Sequence, residues 1–537
     1  MYDVMLADAE FPAQHDLPLI DMTVADVLRN AAARAADAPA LTEIALSGDA
    51  KRSWTYGELL ADVERLARAL STRYAPLERI VVWAPNAPEW VLLEYACALA
   101  GLTLVPANPA FQARELAYVM KQSKAAGLFF TREHRGNPMA EIAAEAAAGA
   151  PALREVCDIE DADALFACGG RPETPHAASP SDEAQLQYTS GTTGFPKGAR
   201  LHHMGLVTNA THFMQRTGLS DGDVIANYMP LFHTSGCCMR VLGSAAYRGH
   251  LLLFRVFDPD AILDQIERHQ IGLLSGVPTM LTAILEAQAA RSRDVSSLRV
   301  AVSGGSMVTP EFVRRIRSTF GCRFQVIYGQ TEASPLIAQH HLDDDPETVA
   351  ETVGQPMPHE EVSIRRVADG SVAALDEVGE ICVRGYCVML GYNDDPEATA
   401  KAIDADGWLH TGDLGTMDAR GYLRVTGRLK EMIIRGGENL FPAEIEKCLL
   451  EHPAVAEVAV VGLPDEKWGE IIAAVVRPAP GSKANIAELQ AHCRARLAPV
   501  KTPSVWLRVD SFPRTGLGKV QKFALRDAWL AGNLEEL

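Results

Sequence analysis

The chain has 537 residues, of which 48% are hydrophobic and 22% are charged. At roughly 150 residues per domain this length predicts three or four core-sized units, and the composition excludes a disordered, collagen-like or coiled-coil protein. The 50 Lys and Arg against 69 Asp and Glu give a net charge of −19, which disfavours nonspecific binding to nucleic acid or to an anionic membrane.

The sequence shows no signal for export or for crossing a membrane. The first 22 residues are acidic, the reverse of a signal peptide, so we expect a cytoplasmic protein. The longest apolar stretch, 95–111, contains Pro106, Asn108 and Pro109 and is too short for a spanning helix. Ten scattered cysteines without a CxxC pair fit reduced thiols, and two His-His pairs lack the ligand spacing of a zinc site.

Residues 54–131 alternate between helical and strand-like hydrophobic patterns, which predicts a parallel sheet with helices on both faces. In chain order the pattern predicts a helix over 59–70, a strand over 79–84, a helix after Pro88, a strand over 102–106, a helix over 113–124 and a strand over 127–131. An alanine-rich run over 140–150 predicts a solvent-facing helix.

The same alternation resumes near Val300, with a predicted strand over 298–302 and a turn at Gly304 and Gly305. Thr309 and Pro310 are typical of the N-cap and first residue of the next helix. After residue 431 the pattern predicts a compact α+β unit, with helices over 443–450 and 486–497 and strands over 455–461, 471–476 and 505–509.

These patterns predict an α/β fold with a large N-terminal part of several subdomains, built on parallel-rich sheets with flanking helices, and a small mobile α+β C-terminal domain. We place the N-terminal domain at 1–427, a hinge at 428–431 and the C-terminal domain at 432–537. Because no flexible Gly/Ser linker separates the two domains, we expect the joint to be a short hinge.

A strand over 184–188, predicted to be half-buried from its alternating pattern, runs into a segment rich in glycine and hydroxyl groups. Glycines let backbone amides approach an anion, while hydroxyl groups and a lysine add donors and charge, so the segment predicts a polyphosphate site. It lacks the Walker A spacing, and a flexible surface turn is the ordinary alternative. The predicted phosphate-binding residues are Thr189, Ser190, Gly191, Thr192, Thr193, Gly194 and Lys197.

The motif Tyr188-Thr-Ser-Gly-Thr-Thr-Gly-Phe-Pro-Lys-Gly198 resembles the signature of the adenylate-forming superfamily, which includes acyl-CoA synthetases, adenylation domains and luciferases. Four further segments resemble that family in the expected order: Tyr328-Gly-Gln-Thr-Glu332, Trp408-Leu-His-Thr-Gly-Asp413, Gly427-Arg-Leu-Lys-Glu431 through Glu446, and Pro513-Arg-Thr-Gly-Leu-Gly-Lys519. The chain is most similar to medium- or long-chain acyl-CoA synthetases. The resemblance implies formation of acyl-AMP and pyrophosphate from an acid and ATP with Mg²⁺, followed by attack of the coenzyme A thiol.

The resemblance also implies roles for individual residues. Glu332, beside Thr331, would bind Mg²⁺, and Lys519 would contact the carboxylate and α-phosphate oxygens during adenylation. Tyr328 would lie against adenine, and Asp413 would accept both ribose hydroxyl groups. Each residue also has an ordinary alternative. Glu332 could be a solvated loop glutamate, and Lys519 could belong to a basic C-terminal loop. Tyr328 could be a core tyrosine, and Asp413 could be a turn-forming aspartate.

The remaining implied contacts lie in loops and in the hinge. Arg428 would contact ribose or phosphate, and its ordinary alternative is a surface salt bridge. Lys430 would be the pivot of the small domain, and its ordinary alternative is a solvated lysine. The loop containing Gly436 and Gly437 would pass over the pantetheine tunnel, or be a plain hairpin turn. The other predicted nucleotide-site residues are Gly304, Gly305, Gly329 and Gln330.

His233, in Pro230-Leu-Phe-His, resembles the family residue that orients the carboxylate or gates the tunnel, with a packed core histidine as the alternative. Relatives that activate amino acids place near this segment an aspartate that pairs with the substrate ammonium group. No aspartate occurs between Leu231 and Arg240, which disfavours an α-amino acid substrate. Gly329 stands where acetyl-specific relatives have tryptophan, which predicts a deeper pocket. Its predicted small or soft walls, Gly236, Cys237, Cys238, Met239, Gly276, Val277 and Met280, suit a medium-chain, branched or aromatic acid.

The leading hypothesis is therefore a carboxylate:CoA ligase. One alternative is an acyl-AMP ligase that passes the acyl group to the phosphopantetheine of a carrier protein or to an amine. Another, from a different class, is a non-catalytic acyl-adenylate-binding protein. We expect no nucleic-acid partner and no membrane span, and the sequence leaves a homodimer open without fixing the oligomeric state.

Overall fold

The computed structural model describes residues 1–171, 177–189, 196–305, 308–435, 438–482, 484–514 and 520–537. Over these residues the chain forms four β-sheets, three of them built before residue 429 and one after residue 432. Helices lie between and around the sheets, as the alternating hydrophobic pattern predicts.

The largest sheet has nine strands and is parallel through its centre. Antiparallel strands close both edges. In spatial order its strands are Gln355–Pro356, Leu336–Gln339, Arg323–Gly329, Val300–Gly304, Leu273–Ser275, Val224–Asn227, His250–Phe254, Pro39–Ile44 and Ala50–Thr55.

The second sheet has seven strands, and its parallel part is the predicted βαβ region. An antiparallel hairpin of two strands, Glu183–Thr189 and Lys197–His202, extends it at one side. In spatial order the strands are Gly391–Tyr392, Lys197–His202, Glu183–Thr189, Thr103–Ala107, Arg79–Trp83, Gly127–Phe130 and Glu155–Asp158.

The third and fourth sheets are smaller. The third is antiparallel, with the strand order Glu10–Phe11, Glu360–Arg365, Gly379–Gly385, Leu409–Met417 and Leu423–Arg428. The fourth has six strands, in the order Glu438–Leu440, Ile433–Arg435, Gly469–Pro478, Val505–Arg508 and Glu535–Glu536, with Val455–Asp465 also paired to Gly469–Pro478.

The α-helices of the described residues are, in chain order, Val24–Ala35, Tyr56–Ser71, Pro88–Ala100, Ala113–Ser123, Met139–Ala147, Ala162–Leu165, His203–Arg216, Gly243–Ala246, Pro259–His269, Pro278–Ala290, Pro310–Phe320, Pro346–Glu351, Pro396–Ala402, Pro442–Leu450, Ile486–Arg494 and Lys522–Leu530. One π-helical turn spans Cys237–Leu242, and 3₁₀ turns span Thr331–Ala333, Leu429–Glu431 and Pro499–Lys501.

Several predicted elements agree with the structure, including the Thr309 cap. The Thr309 hydroxyl accepts a hydrogen bond from the backbone of Phe312, and Pro310 is the first helical residue. One prediction of exposure was wrong. The strand Glu183–Thr189 is buried on both faces, because Gln185 and Gln187 are 1% and 3% exposed. The helix predicted to face solvent is Met139–Ala147, which buries one side, including Ile142, and exposes Glu141 and Glu145 on the other.

The hydrophobic core is divided at the predicted hinge. Three clusters of buried side chains draw only on residues up to Leu423, and two draw only on residues from Ile433 onward. The domain bounds 1–427, 428–431 and 432–537 stay a prediction that this separation supports.

All ten cysteines are free thiols. Within the described ranges, no helix combines the length and the apolar character that a bilayer span requires.

Candidate active site

The predicted phosphate-binding segment begins and ends next to a carboxylate. Thr189 and Lys197 are opposite residues in an antiparallel hairpin, so the two ends of the segment meet. Thr189 Oγ1 donates to Glu332 Oε1 over 3.3 Å. The intervening residues Ser190, Gly191, Thr192, Thr193 and Gly194 lie outside the described residues.

Tyr392 joins the other end of this segment to the same carboxylate. Its hydroxyl group donates to Glu332 Oε1 over 2.9 Å, and Lys197 Nζ lies 4.9 Å from the centre of its ring. Burial, together with the nearby Glu332 carboxylate, raises the pKa of Tyr392 far above its usual value, so the hydroxyl group stays a donor. Thr189, Lys197, Tyr392 and Glu332 therefore form one polar cluster, which we call the Glu332 cluster.

A second cluster, the Asp413 cluster, joins three residues from distant parts of the chain. Tyr328 OH donates to Asp413 Oδ2 over 3.0 Å, and Arg428 Nε lies 3.1 Å from Asp413 Oδ1. Burial raises the pKa of Tyr328 well above 10, and the Asp413 carboxylate raises it further. The tyrosine is therefore a neutral donor to the Asp413 carboxylate, whose side chain is 8% exposed.

Local backbone geometry positions Asp413. Gly412 has φ +70°, a conformation that favours glycine, and its amide donates to Glu380 Oε1 over 3.0 Å. The amide of Asp413 donates to Thr411 Oγ1 over 3.1 Å. His410 Nδ1 lies 2.9 Å from Glu380 Oε2, so the glutamate links both sides of this turn.

The two clusters are neighbours because Tyr328 and Glu332 lie four residues apart, at the end of the strand Arg323–Gly329 and in the turn Thr331–Ala333. Gln330 and Thr331 lie between them and are half-buried. The turn at Gly304 and Gly305 ends the neighbouring strand Val300–Gly304, and Gly304 is paired with Ile327. All the predicted nucleotide-site residues from 304 to 332 are therefore at the carboxyl ends of two adjacent parallel strands.

Close backbone contact gives a structural reason for glycine at position 329. A Cβ atom built at Gly329 would lie 2.0 Å from the backbone oxygen of Pro335 and 2.7 Å from Cα of Leu336. The absent side chain therefore allows close approach of backbone, and the deeper acid pocket stays a prediction. Gly236, also predicted as a pocket wall, is similar, because its Cβ would lie 2.2 Å from the Pro230 oxygen.

His233 is held by its own turn. The amide of Ser235 donates to His233 Nδ1 over 3.1 Å, and Ser235 Oγ lies 3.0 Å from the same nitrogen. Asn227 Nδ2 donates to the oxygen of Gly236 over 3.3 Å, which ties the turn to the end of the central strand Val224–Asn227. His233 is half-buried, as expected for a residue that borders a site.

The hinge is clamped to the small domain on one side. Lys522 Nζ lies 2.6 Å from Glu431 Oε2 and 2.8 Å from Glu446 Oε1. Glu431 is therefore attached to the C-terminal unit through Lys522. Arg428 is instead paired with Asp413 of the N-terminal unit. Lys430 lies between these two attachments and is exposed.

Three predicted residues of the small domain cannot be placed. Gly436 and Gly437 lie outside the described residues, between the paired Arg435 and Glu438. Lys519 also lies outside them, in the segment between Arg514 and Val520, whose ends are joined by an antiparallel bridge.

Sequence reasoning missed two features of the site. Tyr392 lies in no predicted motif, although it contacts both Lys197 and Glu332. The second feature is a buried polar chain, in which Gln185 Nε2 donates to Glu94 Oε1 over 2.8 Å and Gln187 Nε2 donates to Gln185 Oε1 over 2.8 Å. The alternation of polar residues along this strand was the available signal, but it was interpreted as an exposed face.

The Glu332 carboxylate fits a magnesium ion. Its Oε1 accepts from Thr189 and Tyr392, whereas Oε2 accepts no hydrogen bond from any residue that the structure describes. A half-buried carboxylate with one such oxygen, beside the ends of a predicted phosphate-binding segment, is the kind of ligand that Mg²⁺ shares with phosphate oxygens and water.

Comparisons with known proteins show the family of this chain. The model of the AMP-binding enzyme family matches residues 28–393, and that of the AMP-binding enzyme C-terminal domain matches residues 444–519. The putative acyl-CoA synthetase YngI of Bacillus subtilis is 37% identical over 84% of this chain and 87% of its own. The human mitochondrial medium-chain acyl-CoA ligase ACSF2 is 35% identical over 94% of this chain and 87% of its own.

A solved structure of similar fold supports the same comparison. The O-succinylbenzoate coenzyme A synthetase MenE of Bacillus subtilis, in complex with ATP and magnesium ion, superposes with a TM-score of 0.82. It is 28% identical, and the match covers 95% of this chain and all of that one.

Proposed function

The chain belongs to the AMP-binding enzyme family and is an AMP-forming acyl-CoA ligase that uses ATP, Mg²⁺ and coenzyme A, and from that premise we propose which acid it takes and which residues act. The acid is a medium-chain, branched or aromatic carboxylic acid. The Glu332 and Asp413 clusters form the adenylating site, with Lys519 as the catalytic cation.

The observation that carries this proposal is the convergence of the two clusters. Thr189, at the first end of the predicted phosphate-binding segment, contacts Glu332, and Tyr328, four residues before Glu332, donates to Asp413, which is paired with Arg428. A nucleotide needs such an arrangement, because its ribose offers two hydroxyl donors to a carboxylate while its phosphates need cationic and amide donors nearby.

In the first half-reaction a carboxylate oxygen of the acid attacks the α-phosphorus of ATP. The bond to pyrophosphate breaks, and pyrophosphate leaves with the bonding electron pair. Several negative charges meet at the reacting centre, so the chain must supply positive charge there. Lys197 and Lys519 meet that need, and Thr189 adds a hydroxyl donor at the phosphates.

Asp413 and Arg428 hold the ribose end, and Tyr328 orients the Asp413 carboxylate through its hydroxyl group. Magnesium, when bound, neutralises phosphate charge, and Glu332 is the residue of this chain that would hold it. Tyr392 keeps the Glu332 carboxylate in place by donating to Oε1, which leaves Oε2 for the ion.

In the second half-reaction the coenzyme A thiol attacks the acyl carbonyl carbon, AMP leaves and the thiol proton is released. Rotation of the small domain about Lys430 would exchange the Lys519 segment for the segment with Gly436 and Gly437. The clamp of Lys522 on Glu431 supports a pivot before residue 431, since the clamped residue must move with the small domain.

The acid site is proposed beside His233. The residues that follow it, Cys237, Cys238 and Met239, are fully or almost fully buried, and burial raises the pKa of both thiols well above 9, so both stay neutral. Val277 lies next to the Gly305 turn, within 3.8 Å of a Cβ built at that glycine. Small, soft, apolar walls favour an acid of medium length, and the human relative is named a medium-chain ligase.

The experiment is a panel of carboxylic acids with ATP and Mg²⁺, in which hydroxylamine traps acyl-AMP and pyrophosphate release is measured with and without coenzyme A. A carrier protein and an amine replace coenzyme A in parallel reactions. We expect AMP and pyrophosphate with medium-chain, branched or aromatic acids, and thioester with coenzyme A. Preference for the carrier or the amine would support the alternative ligase, and no release with any acid would support a non-catalytic binding protein.

A matched pair of variants tests the metal residue. Glu332→Gln should slow pyrophosphate release by about 10²- to 10³-fold, the scale for loss of one preorganised electrostatic group. Glu347→Gln, which changes an exposed glutamate in the helix Pro346–Glu351, should not slow it. Equal rates for the two variants would remove Glu332 from the site.

We propose a cytoplasmic location, which the ten free thiols favour. The human relative is named mitochondrial, so fractionation of cells that express the full chain is the relevant test. Sedimentation of the purified chain would test whether it forms a homodimer.

A further inference from the structure

Arg240 is a buried arginine to which the mechanism above gives no part. It lies on the π-helical turn Cys237–Leu242 and is 3% exposed. Its guanidinium lies over the ring of Phe213, 5.2 Å from the ring centre. Burial lowers the pKa of Arg240 to about 10, so the group is still ionised at neutral pH.

The charge of Arg240 is only partly satisfied. Nη1 donates to the oxygen of Ser235 over 3.1 Å and lies 3.6 Å from the sulfur of Met239. Nε is buried without a hydrogen-bond partner among the described residues, and Nη2 makes no hydrogen bond with them either. None of the described carboxylates forms an ion pair with this arginine.

Other buried arginines of this chain show what a structural role requires. Arg216 donates to three backbone oxygens, those of Gln339, Gln355 and Pro356, over 2.6 to 3.0 Å. Arg293, with a side chain 2% exposed, pairs with two aspartates. Arg240 has one such partner. Removing an ionised guanidinium from water is costly unless acceptors replace the lost hydration.

The unused donors lie on one edge of the group. Nε–H and an Nη2–H point in the same direction, and this edge matches the two oxygens of a carboxylate. The other edge is used by Ser235, whose amide and hydroxyl group hold His233. The guanidinium therefore lies behind the turn that presents His233, among the apolar residues that we propose as pocket walls.

We propose that Arg240 is a specificity-determining residue, which binds a second oxygen acceptor on the substrate acid, remote from the carboxylate that is activated. This inference rests on the proposed function. A distal carboxylate would use both donors of the free edge, and a ketone oxygen would use one or share both. The apolar walls contact the carbon skeleton between the two ends of the acid.

The test compares plain monocarboxylic acids, dicarboxylic acids and keto acids of equal length, over about four to ten carbons. Pyrophosphate release gives kcat and KM for each. At the length that spans the pocket, the dicarboxylic or keto acid should exceed the plain monocarboxylic acid in kcat/KM by about 10- to 100-fold. A site built to bind a second oxygen acceptor rejects an analogue that lacks it. The dicarboxylic and keto acids then distinguish which acceptor the site takes.

Arg240→Met should abolish this preference, mainly through KM, because the contact is remote from the reacting bond. Plain acids should react with the variant at least as well as before. Val241→Ala, on the same turn and 3% exposed, tests general damage to packing and should retain the preference. If Arg240→Met does not fold, Arg240→Lys keeps the charge without the two-donor edge and should lose most of the preference.

A second measurement does not depend on turnover. The preferred acid should raise the melting temperature of the wild-type chain and not that of Arg240→Met. The inference is overturned if plain acids are activated equally well at every length, or if Arg240→Met changes all acids by the same factor. Absence of turnover with every acid, by contrast, would overturn the proposed function itself.

Discussion

A buried glutamate should make the stability of the N-terminal part depend on pH. Glu94 lies on the helix Pro88–Ala100 and is 2% exposed. Gln185 Nε2 donates to its Oε1 over 2.8 Å, while Oε2 has no partner among the described residues. The perturbation is Glu94→Gln, which keeps the shape and an acceptor for Gln185 but cannot ionise.

The size of the effect follows from the environment of the carboxyl group. Burial raises the pKa of Glu94 from 4.5 to about 8, and the hydrogen bond from Gln185 opposes part of this rise. Because the folded-state pKa is the higher one, the folded chain binds more protons between these two pH values. The contribution to stability is fully present below pH 4.5 and is lost as the pH rises to about 8. The total loss is on the order of 5 kcal/mol.

The assay is thermal unfolding at a series of pH values from about 5 to 9, at constant ionic strength. The wild type and Glu94→Gln should melt together at the acid end, and the variant should melt several degrees higher at the alkaline end. Glu145→Gln, an exposed glutamate on the helix Met139–Ala147, is the control and should follow the wild type. Parallel curves for the wild type and Glu94→Gln would refute the reasoning.

Three further predictions concern the adenylating site. Asp413→Asn removes the charge that the ribose hydroxyls and Arg428 share, so KM for ATP in pyrophosphate exchange should rise by about 10- to 100-fold; an unchanged KM would contradict the ribose role. Lys519→Ala should slow acyl-AMP formation by about 10²- to 10³-fold while thioester formation from supplied acyl-AMP survives, and equal loss of both half-reactions would argue against a role confined to adenylation. Gly329→Ala should lower activity with acids of every length, because its Cβ would lie 2.0 Å from the Pro335 oxygen; selective loss of long acids would instead favour a role in pocket depth.

Much of the fold could be predicted because each element shows its own hydrophobic period. The strand Arg79–Trp83 and the helix Ala113–Ser123 lie within one residue of their predicted bounds. The cap at Thr309 depends only on the residues that follow it. The resemblance to the adenylate-forming superfamily, rather than a local pattern, implied that Glu332, Asp413 and the segment after Thr189 belong to one site. Hydrophobic period and helix capping are local features, and local sequence determines them.

Tertiary structure decided which side chains meet and which polar groups are buried. Tyr328 and Asp413 are 85 residues apart, and only the placement of two different sheets brings them within 3.0 Å. Gln185 looked exposed by alternation, yet a buried partner on a neighbouring helix removes it from water. Gly329 lacks a side chain because of backbone that folds against it. The hydrophobic period of one helix or strand does not show which residues pack against it from elsewhere in the chain. Those residues determine which hydrogen bonds its polar side chains form and how much their burial costs.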